Sequence, residues 1–336
     1  MPLSDKSLRL LPVIAFLGLT AVACNEPPVP TDGELEGRVL GLTLAEQIPE
    51  SLRTTSPYRC ARRKSTPGRV PSFANTGTSL VDGVLEFDRS LEGPLHVAFV
   101  GDSRGAPVHT ITQMTQLFTA LATEKLELLV SVGGLGANLH DIKSVLTVLS
   151  SDKRVPLIAY PGDRESVGDH RRAIHELAKD GRTVIDGSSF PLIAMGPLLL
   201  AGLPGIPYSS NLISGDEGCM YTLDDANQLI ASIPDSIRKV VLATYAPLAG
   251  LSTELGHSGI PLGVDVSSAK SSNPPIWAVV HGLTRSQKLP AKGAITAKSR
   301  PLAVIAGSLD PSEGKSDALI LSISRKRIDW RRFRAP

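Results

Sequence analysis

Between Leu95 and Gly181 the chain repeats one pattern three times. "LHVAFVGD" is an apolar run of strand length, and "HTITQMTQLFTALATE" behind it has helical spacing. "LELLVSVGG" and "NLHDIKSVLTVLSSD" form a second such pair, "VPLIAYPGD" and "SVGDHRRAIHELAKDG" a third. Strands that are apolar throughout and are followed by amphipathic helices are buried on both faces. The helices cross over between them, so successive strands run parallel. The alternation predicts α/β layers around a largely parallel sheet. Beyond residue 182 the rhythm changes. "TVIDGSSFPLIAMGPLLLAGLPG" leaves no room for a helix and reads as β-hairpins. "TLDDANQLIASIPDSI" is a helix with Thr222 as its N-cap. "RKVVLATYAPL" and "PPIWAVVHGLT" are strands, and "LAVIAG", "ALILSIS" and "RIDWRRF" are short strands of the tail.

The N-terminus follows other rules. Lys6 and Arg9 precede the apolar run "LLPVIAFLGLTAVA", which meets Cys24. A basic start, a short apolar core and small residues before the cut describe a secretory signal, too short for a comfortable transmembrane helix. "LTAVAC" resembles a bacterial lipobox, with Ala21 where Leu is more usual. On that reading residues 1–23 are removed and Cys24 is acylated. Each buried CH2 of its lipid chains then adds about 0.8 kcal/mol of membrane affinity. The alternative is an ordinary signal peptide cleaved nearby. The lipobox places the protein in the bacterial cell envelope, on a lipid bilayer through Cys24, facing the periplasm or at the outer membrane. Residues 24–33 read as a Pro-rich tether, residues 34–90 as a pre-domain segment that adds strands such as "GVLEF", and residues 91–336 as the main domain.

An exported chain meets an oxidising compartment, so Cys60 and Cys219 are candidates for a disulfide, with two separate buried thiols as the alternative. No Cys-x-x-Cys occurs, which argues against a structural zinc site. A formal net charge of +2 and aromatics at 4% argue against a nucleic-acid partner.

Five strand ends carry polar residues: "GDSRG" at 101–105, "GGLGAN" at 133–138, "PGDRE" at 161–165, "TYAPL" at 244–248 and "HGLTR" at 281–285. In order and spacing they resemble the calcineurin-like metallophosphoesterase family. That family reads Asp-x-His, Gly-Asp-x-x-Asp, Gly-Asn-His-Glu, His-x-Pro and Gly-His-x-His, each after a strand. The resemblance covers roughly residues 95–285, and the β tail follows it. It implies a four-layer αββα sandwich, two central mixed sheets flanked by helices, and a two-metal centre at the strand ends.

The departures bear on that centre. Asp102 keeps the first ligand position, but Arg104 stands for the following His. Gly134 stands for the bridging Asp, Asp163 for the Asn ligand, and Arg164 for the His that the family uses toward the leaving group. The later imidazole positions fall on Tyr245, Leu283 and Arg285, while His281 precedes its Gly and belongs to the strand. Two divalent ions need oxygen and imidazole ligands with a carboxylate bridging them. A guanidinium is always protonated and repels a cation. No cofactor is therefore expected, a single Mg2+ or Ca2+ on Asp102 and Asp163 being the alternative.

Two readings of the arginines follow. Arg104, Arg164 and Arg285 replace metal charge by pairing with Asp102, Asp163 and Glu165. Alternatively, their forks form an anion site for a phosphate- or sulfate-bearing ligand. The implied protein is a pseudoenzyme with a ligand-binding or scaffold role, its partner a small anion or an envelope protein. The competing reading is an active hydrolase, either a phosphoesterase with a remodelled metal site or a serine esterase. "GDSRG" is literally Gly-x-Ser-x-Gly after a strand, which would make Ser103 the nucleophile. The late histidines, His257 and His281, lie in no matching loop. "GGLGANL" lacks the third glycine of a dinucleotide fingerprint. "RKRIDWRRFR" reads as a charge-protected edge strand, with anionic lipid headgroups as the alternative contact. His170 and His175 read as a solvated helix face, with their rings on different sides.

Overall fold

The computed structural model describes residues 58–60, 77–88, 93–207, 212–234, 238–247, 276–282, 294–295, 302–309 and 316–334. The chain divides into two units, Met1–Val39 and Leu40–Pro336; the first lies wholly outside the described residues, as does Cys24. In the second unit the strands are β1 (Tyr58–Arg59), β2 (Gly77–Val81), β3 (Val84–Asp88), β4 (Leu95–Gly101), β5 (Leu128–Ser131), β6 (Leu157–Ala159), β7 (Val184–Asp186), β8 (Leu192–Met195), β9 (Leu198–Leu203), β10 (Cys219–Met220), β11 (Lys239–Thr244), β12 (Ile276–His281), β13 (Ala294–Ile295), β14 (Leu302–Ile305), β15 (Gly307–Ser308), β16 (Asp317–Ile323) and β17 (Ile328–Arg334). The helices are α1 (Val108–Leu121), α2 (Leu139–Leu149), α3 (Val167–Lys179) and α4 (Leu223–Ala231).

Two mixed sheets result. One runs β13-β14-β12-β11-β9-β8-β3-β2, the other β17-β16-β4-β5-β6-β7 with β15 also on β4. Strand alternation stacks them. On β4, Leu95, Val97 and Phe99 point into a core shared with Ile193, Leu200, Val241 and Val280 of the other sheet. Ala98 and Val100 point the opposite way, onto Met114 and Leu117 of α1 and Ile142 and Val145 of α2. The outer face of the eight-stranded sheet, with Leu199, Ala201 and Leu242, takes Ala226, Leu229 and Ile230 of α4. This is helix on sheet on sheet on helix, held by apolar side chains each worth about 1.5–3 kcal/mol on full burial. The pre-domain strands β2 and β3 extend the eight-stranded sheet, β3 lying parallel to β8.

Local chemistry sets the helix starts. Asn138 accepts from the Asp141 N–H, Ser166 from the Asp169 N–H, and Thr222 forms a capping box with Asp225. Two expectations are corrected. Only β8 and β9 form the antiparallel hairpin of residues 183–205; β7 pairs parallel with β6 in the other sheet. The chain turns between the sheets at Asp186, whose carboxylate accepts from the Ser188 N–H (2.9 Å), the Ser188 hydroxyl and the Ser189 hydroxyl (both 2.6 Å). His170 is not on a solvated face. It is buried with Val167, Ile174 and Leu177 on the inner side of α3, and burial pushes its pKa down to about 4 against the pull of Asp186. His175 is exposed on another side of the helix.

Cys60 and Cys219 form a disulfide with Cα atoms 5.5 Å apart, and β1 pairs parallel with β10 beside it. Arg59 grips Asp225 with both arms of its fork (3.0 and 2.6 Å) and reaches the Thr222 hydroxyl (3.2 Å). β17 is the edge strand of its sheet, as its charge pattern implies.

Candidate functional site

The carboxyl ends of β4, β5 and β6 meet those of β11 and β12 at one point. Glycines allow it. A Cβ on Gly162 would stand 2.7 Å from Gly134 N and 2.9 Å from the Tyr245 ring, and one on Gly282 would stand 3.2 Å from the same ring. Tyr245 is therefore wedged between the strand ends of both sheets. It is fully buried, with Ile206 and Ala246 around it and Leu212 packed on that cluster.

Around the ring stand the residues singled out by sequence. The Tyr245 hydroxyl lies 3.5 Å from Asp102 Oδ1. Burial, with the nearby charges of Asp163 and Asp102, pushes its pKa well above the usual phenol range, so it remains a hydrogen-bond donor to carboxylates. Asp102 is only 7% exposed and is held by Arg104, whose Nη2 donates to Oδ2 at 3.0 Å and whose Nε donates to Oδ1 at 3.3 Å. Arg164 Nε stands 4.0 Å from Oδ1 of buried Asp163. The structure thus brings together Asp102, Arg104, Gly134, Asp163, Arg164 and Tyr245. Leu283, Arg285 and His257 lie outside the described residues. His281 is buried at the end of β12, and burial together with Arg332 lowers its pKa to about 3.

Glu165 has a structural role that its sequence context did not reveal. Completely buried, it accepts hydrogen bonds from the Leu135 N–H and the Gly162 N–H (2.8 Å), tying the turn after β5 to the turn after β6. Burial raises its pKa to about 7; Asp163 adds to that rise, and the backbone donors oppose it. The contacts of residues 205 and 213–218 were missed as well. Gly205 N–H donates to the Pro161 carbonyl (2.9 Å), Ile213 and Ser214 N–H both donate to the Asp163 carbonyl (2.8 and 3.2 Å), and Ser166 bridges to Gly218. Only the glycine and serine content of that stretch hinted at a loop with open backbone donors.

The "GDSRG" turn is strained. Asp102 and Arg104 both have a φ of 56°, the left-handed region that residues with a Cβ rarely adopt. Ser103 between them is buried, and its hydroxyl faces the carbonyls of Leu135 (2.9 Å) and Gly134 (3.3 Å). A nucleophilic serine needs a basic side chain, usually an imidazole, to accept its proton. Here the proton goes to the backbone.

The donor set does not fit two divalent ions. Gly134 has a φ of 74°, and a Cβ there would stand 2.9 Å from Asp102 Cα and 3.1 Å from Asp102 Oδ1. A bridging carboxylate at this position would collide with the residue it should share an ion with. Arg104 covers the Asp102 oxygens, and Tyr245 fills the centre. Among the described residues no three His, Cys, Asp or Glu side chains are grouped to hold a metal.

Solved structures give the architecture a frame. One matches with a TM-score of 0.52 at 15% identity, over 71% of this chain and 99% of its own. TT1561 of Thermus thermophilus matches with a TM-score of 0.50 at 14% identity, over 71% of this chain and 98% of its own. The architecture is the αββα sandwich of the metallophosphoesterase type. A dimetal phosphatase from Danio rerio aligns over 73% of this chain and all of its own at 9% identity, with a TM-score of 0.48. No protein-family model matches the sequence, and no curated protein does. At these identities the likeness concerns the fold.

Proposed function

We propose that this chain is a catalytically inactive, metallophosphoesterase-like protein of the bacterial cell envelope, held on the bilayer through an acylated Cys24 and serving as a ligand-binding or scaffold protein. The observation that carries the loss of catalysis is the contact between Gly134 and Asp102. The backbone of one ligand position occupies the space that the bridging side chain would need. Tyr245 and the Arg104 fork support the same reading, since ring carbon and guanidinium replace metal charge with packing and an ion pair.

The test is metal content together with phosphodiester turnover, measured on the full chain after extraction from membranes and dialysis against Mn2+ and Mg2+. The expected result is far less than one ion per chain and no turnover above buffer. Two ions per chain with turnover would overturn the reading, and one ion without turnover would redirect it to the Asp102–Asp163 pair. Intact mass of the extracted chain tests the anchor: cleavage before Cys24 with added acyl mass is expected.

One observation favours a small anion as the ligand. Arg104 and Arg164 keep 33% and 26% of their side chains exposed, while the acids they face are buried. Guanidinium edges left to solvent can take a phosphate or sulfate without disturbing the pairs. A rise in melting temperature with inorganic phosphate, lost in Arg164→Ala, is the expected signature.

A further inference from the structure

At the opposite end of the seven-stranded sheet, where β4, β5 and β6 begin, the surface has a different chemistry. Ile323 pairs with Leu95, so the tip of the β16–β17 hairpin, residues 324–327, lies beside the start of β4. The Glu127 N–H donates to the His96 carbonyl and the Leu129 N–H to the Pro156 carbonyl, which brings the loops before β5 and β6 to the same edge. Lys125, Lys153, Arg154, Arg325, Lys326 and Arg327 are all exposed along it. The acids there are largely engaged. Asp152 is held by the Arg154 fork (2.9 and 2.8 Å), Asp329 by Arg327 (2.7 Å), Glu124 by Arg331, and Glu127 by the His96 N–H (2.7 Å). Lys125, Lys153, Arg325 and Lys326 have no carboxylate partner among the described residues; Lys153 reaches only the Asp180 carbonyl (3.3 Å). Between the β5 and β6 loops opens a groove of about 630 Å3, with half-buried Phe118, Leu126 and Val155 in its wall, Lys125 and Arg154 among its lining residues, and the engaged acids Glu127 and Asp152 beside them.

We propose that this edge docks on an anionic phospholipid surface, its unpaired cations against headgroup phosphates and the apolar side chains Phe118, Leu126 and Val155 toward the acyl boundary. Cations spread over three loops at one end of a sheet do not converge on a point, as a site for a small ion would. They suit a flat charged surface, and apolar side chains set among them suit the interface below the headgroups. Docked this way, the sheet stands with Asp102, Asp163 and Tyr245 turned away from the bilayer. The setting rests on the membrane-held reading above, but the docking is tested separately from the anchor.

The experiment is hydrogen exchange on the full chain with vesicles of phosphatidylcholine, with and without phosphatidylglycerol. Exchange at residues 122–127, 151–155 and 324–327 is expected to slow about tenfold on the anionic vesicles alone. The turns at 102–105 and 161–165 should exchange equally on both. Arg325→Glu with Lys326→Glu should remove the protection, and Lys125→Glu with Lys153→Glu, on separate loops, should do the same with the melting temperature unchanged. Equal exchange on the two vesicles, protection at 102–105 instead, or protection that survives both pairs of substitutions would overturn the proposal. Failure of the anchor alone reads differently: the chain would leave the neutral vesicles, while the lipid-dependent protection on anionic ones would persist.

Discussion

Two Arg–Asp forks in this molecule look alike and differ in what they hold. Arg59 grips an aspartate with 0% exposure, 166 residues away in sequence, beside a disulfide and at the cap of α4. Arg104 grips the aspartate two residues before it and leaves a third of itself in solvent. The first closes a long loop and satisfies a charge that has no access to water. The second braces a tight turn inside the strand-end site, its acid buried but its arginine one-third exposed. Bidentate geometry is therefore no measure of an ion pair's importance; burial of the pair and the length of chain enclosed decide it.

The comparison can be broken most forcefully at Arg59. Arg59→Ala leaves Asp225 buried without its cation and should cost about 3 kcal/mol by denaturant unfolding, after allowance for the 23% exposure of the arginine. A cost below that of Arg104→Ala would refute the ranking. Gly134→Asp tests the site from inside. The left-handed φ of 74° and the Asp102 backbone 2.9 Å away should make it cost about 2 kcal/mol without recruiting metal. Stoichiometric Mn2+ in that variant would show that the turn can open.

Buried single groups give a third contrast, through pH. His170 and His281 have pKa values lowered from 6.5 to about 4 and about 3, so the unfolded chain takes their protons first as pH falls below 6.5. Glu165, raised from 4.5 to about 7, does the reverse: the folded chain takes its proton first. Between pH 6.5 and 4.5 the unfolded state holds two of these protons to the folded state's one. Stability should therefore fall on acidification by about 1.4 kcal/mol per pH unit from these groups. Glu165→Gln should steepen that slope toward twice the value, as read by chemical denaturation across the range. Arg104→Ala should have the smallest effect, about 1 kcal/mol, because the arginine is one-third exposed and the Tyr245 hydroxyl stays near Asp102.

The sequence made the layers visible where one rule governed a whole element. The apolar runs of β4, β5 and β6 and the spacing of α1, α2 and α3 could be read directly, and Thr222 announced the start of α4. The six positions at the strand ends could be named because each follows a strand. What Tyr245 does could not, because a ring packed between strand ends and one lining an open site look the same in a string of letters. His170 follows the apolar spacing of Val167, Ile174 and Leu177, but Arg171 and Arg172 beside it suggested solvent. The β7 crossing depends on three hydrogen bonds to Asp186 that no periodicity encodes. Arg59 and Asp225 illustrate the general limit: nothing local links residues so far apart. Cysteine counting permitted the Cys60–Cys219 bond without choosing it.

That bond has a mechanical side. A force pulling the two ends of the chain apart enters at Cys60 and leaves at Cys219 through a covalent link, skipping a sequence separation of 159. β4 to β9, with the turns that carry Asp102 and Asp163, sit inside the bypassed ring. A chain tugged from its N-terminal side would load α4, β11 and the strands after it first, and would reach the turns at Asp102 and Asp163 only through the pairing of β11 with β9 and of β16 with β4.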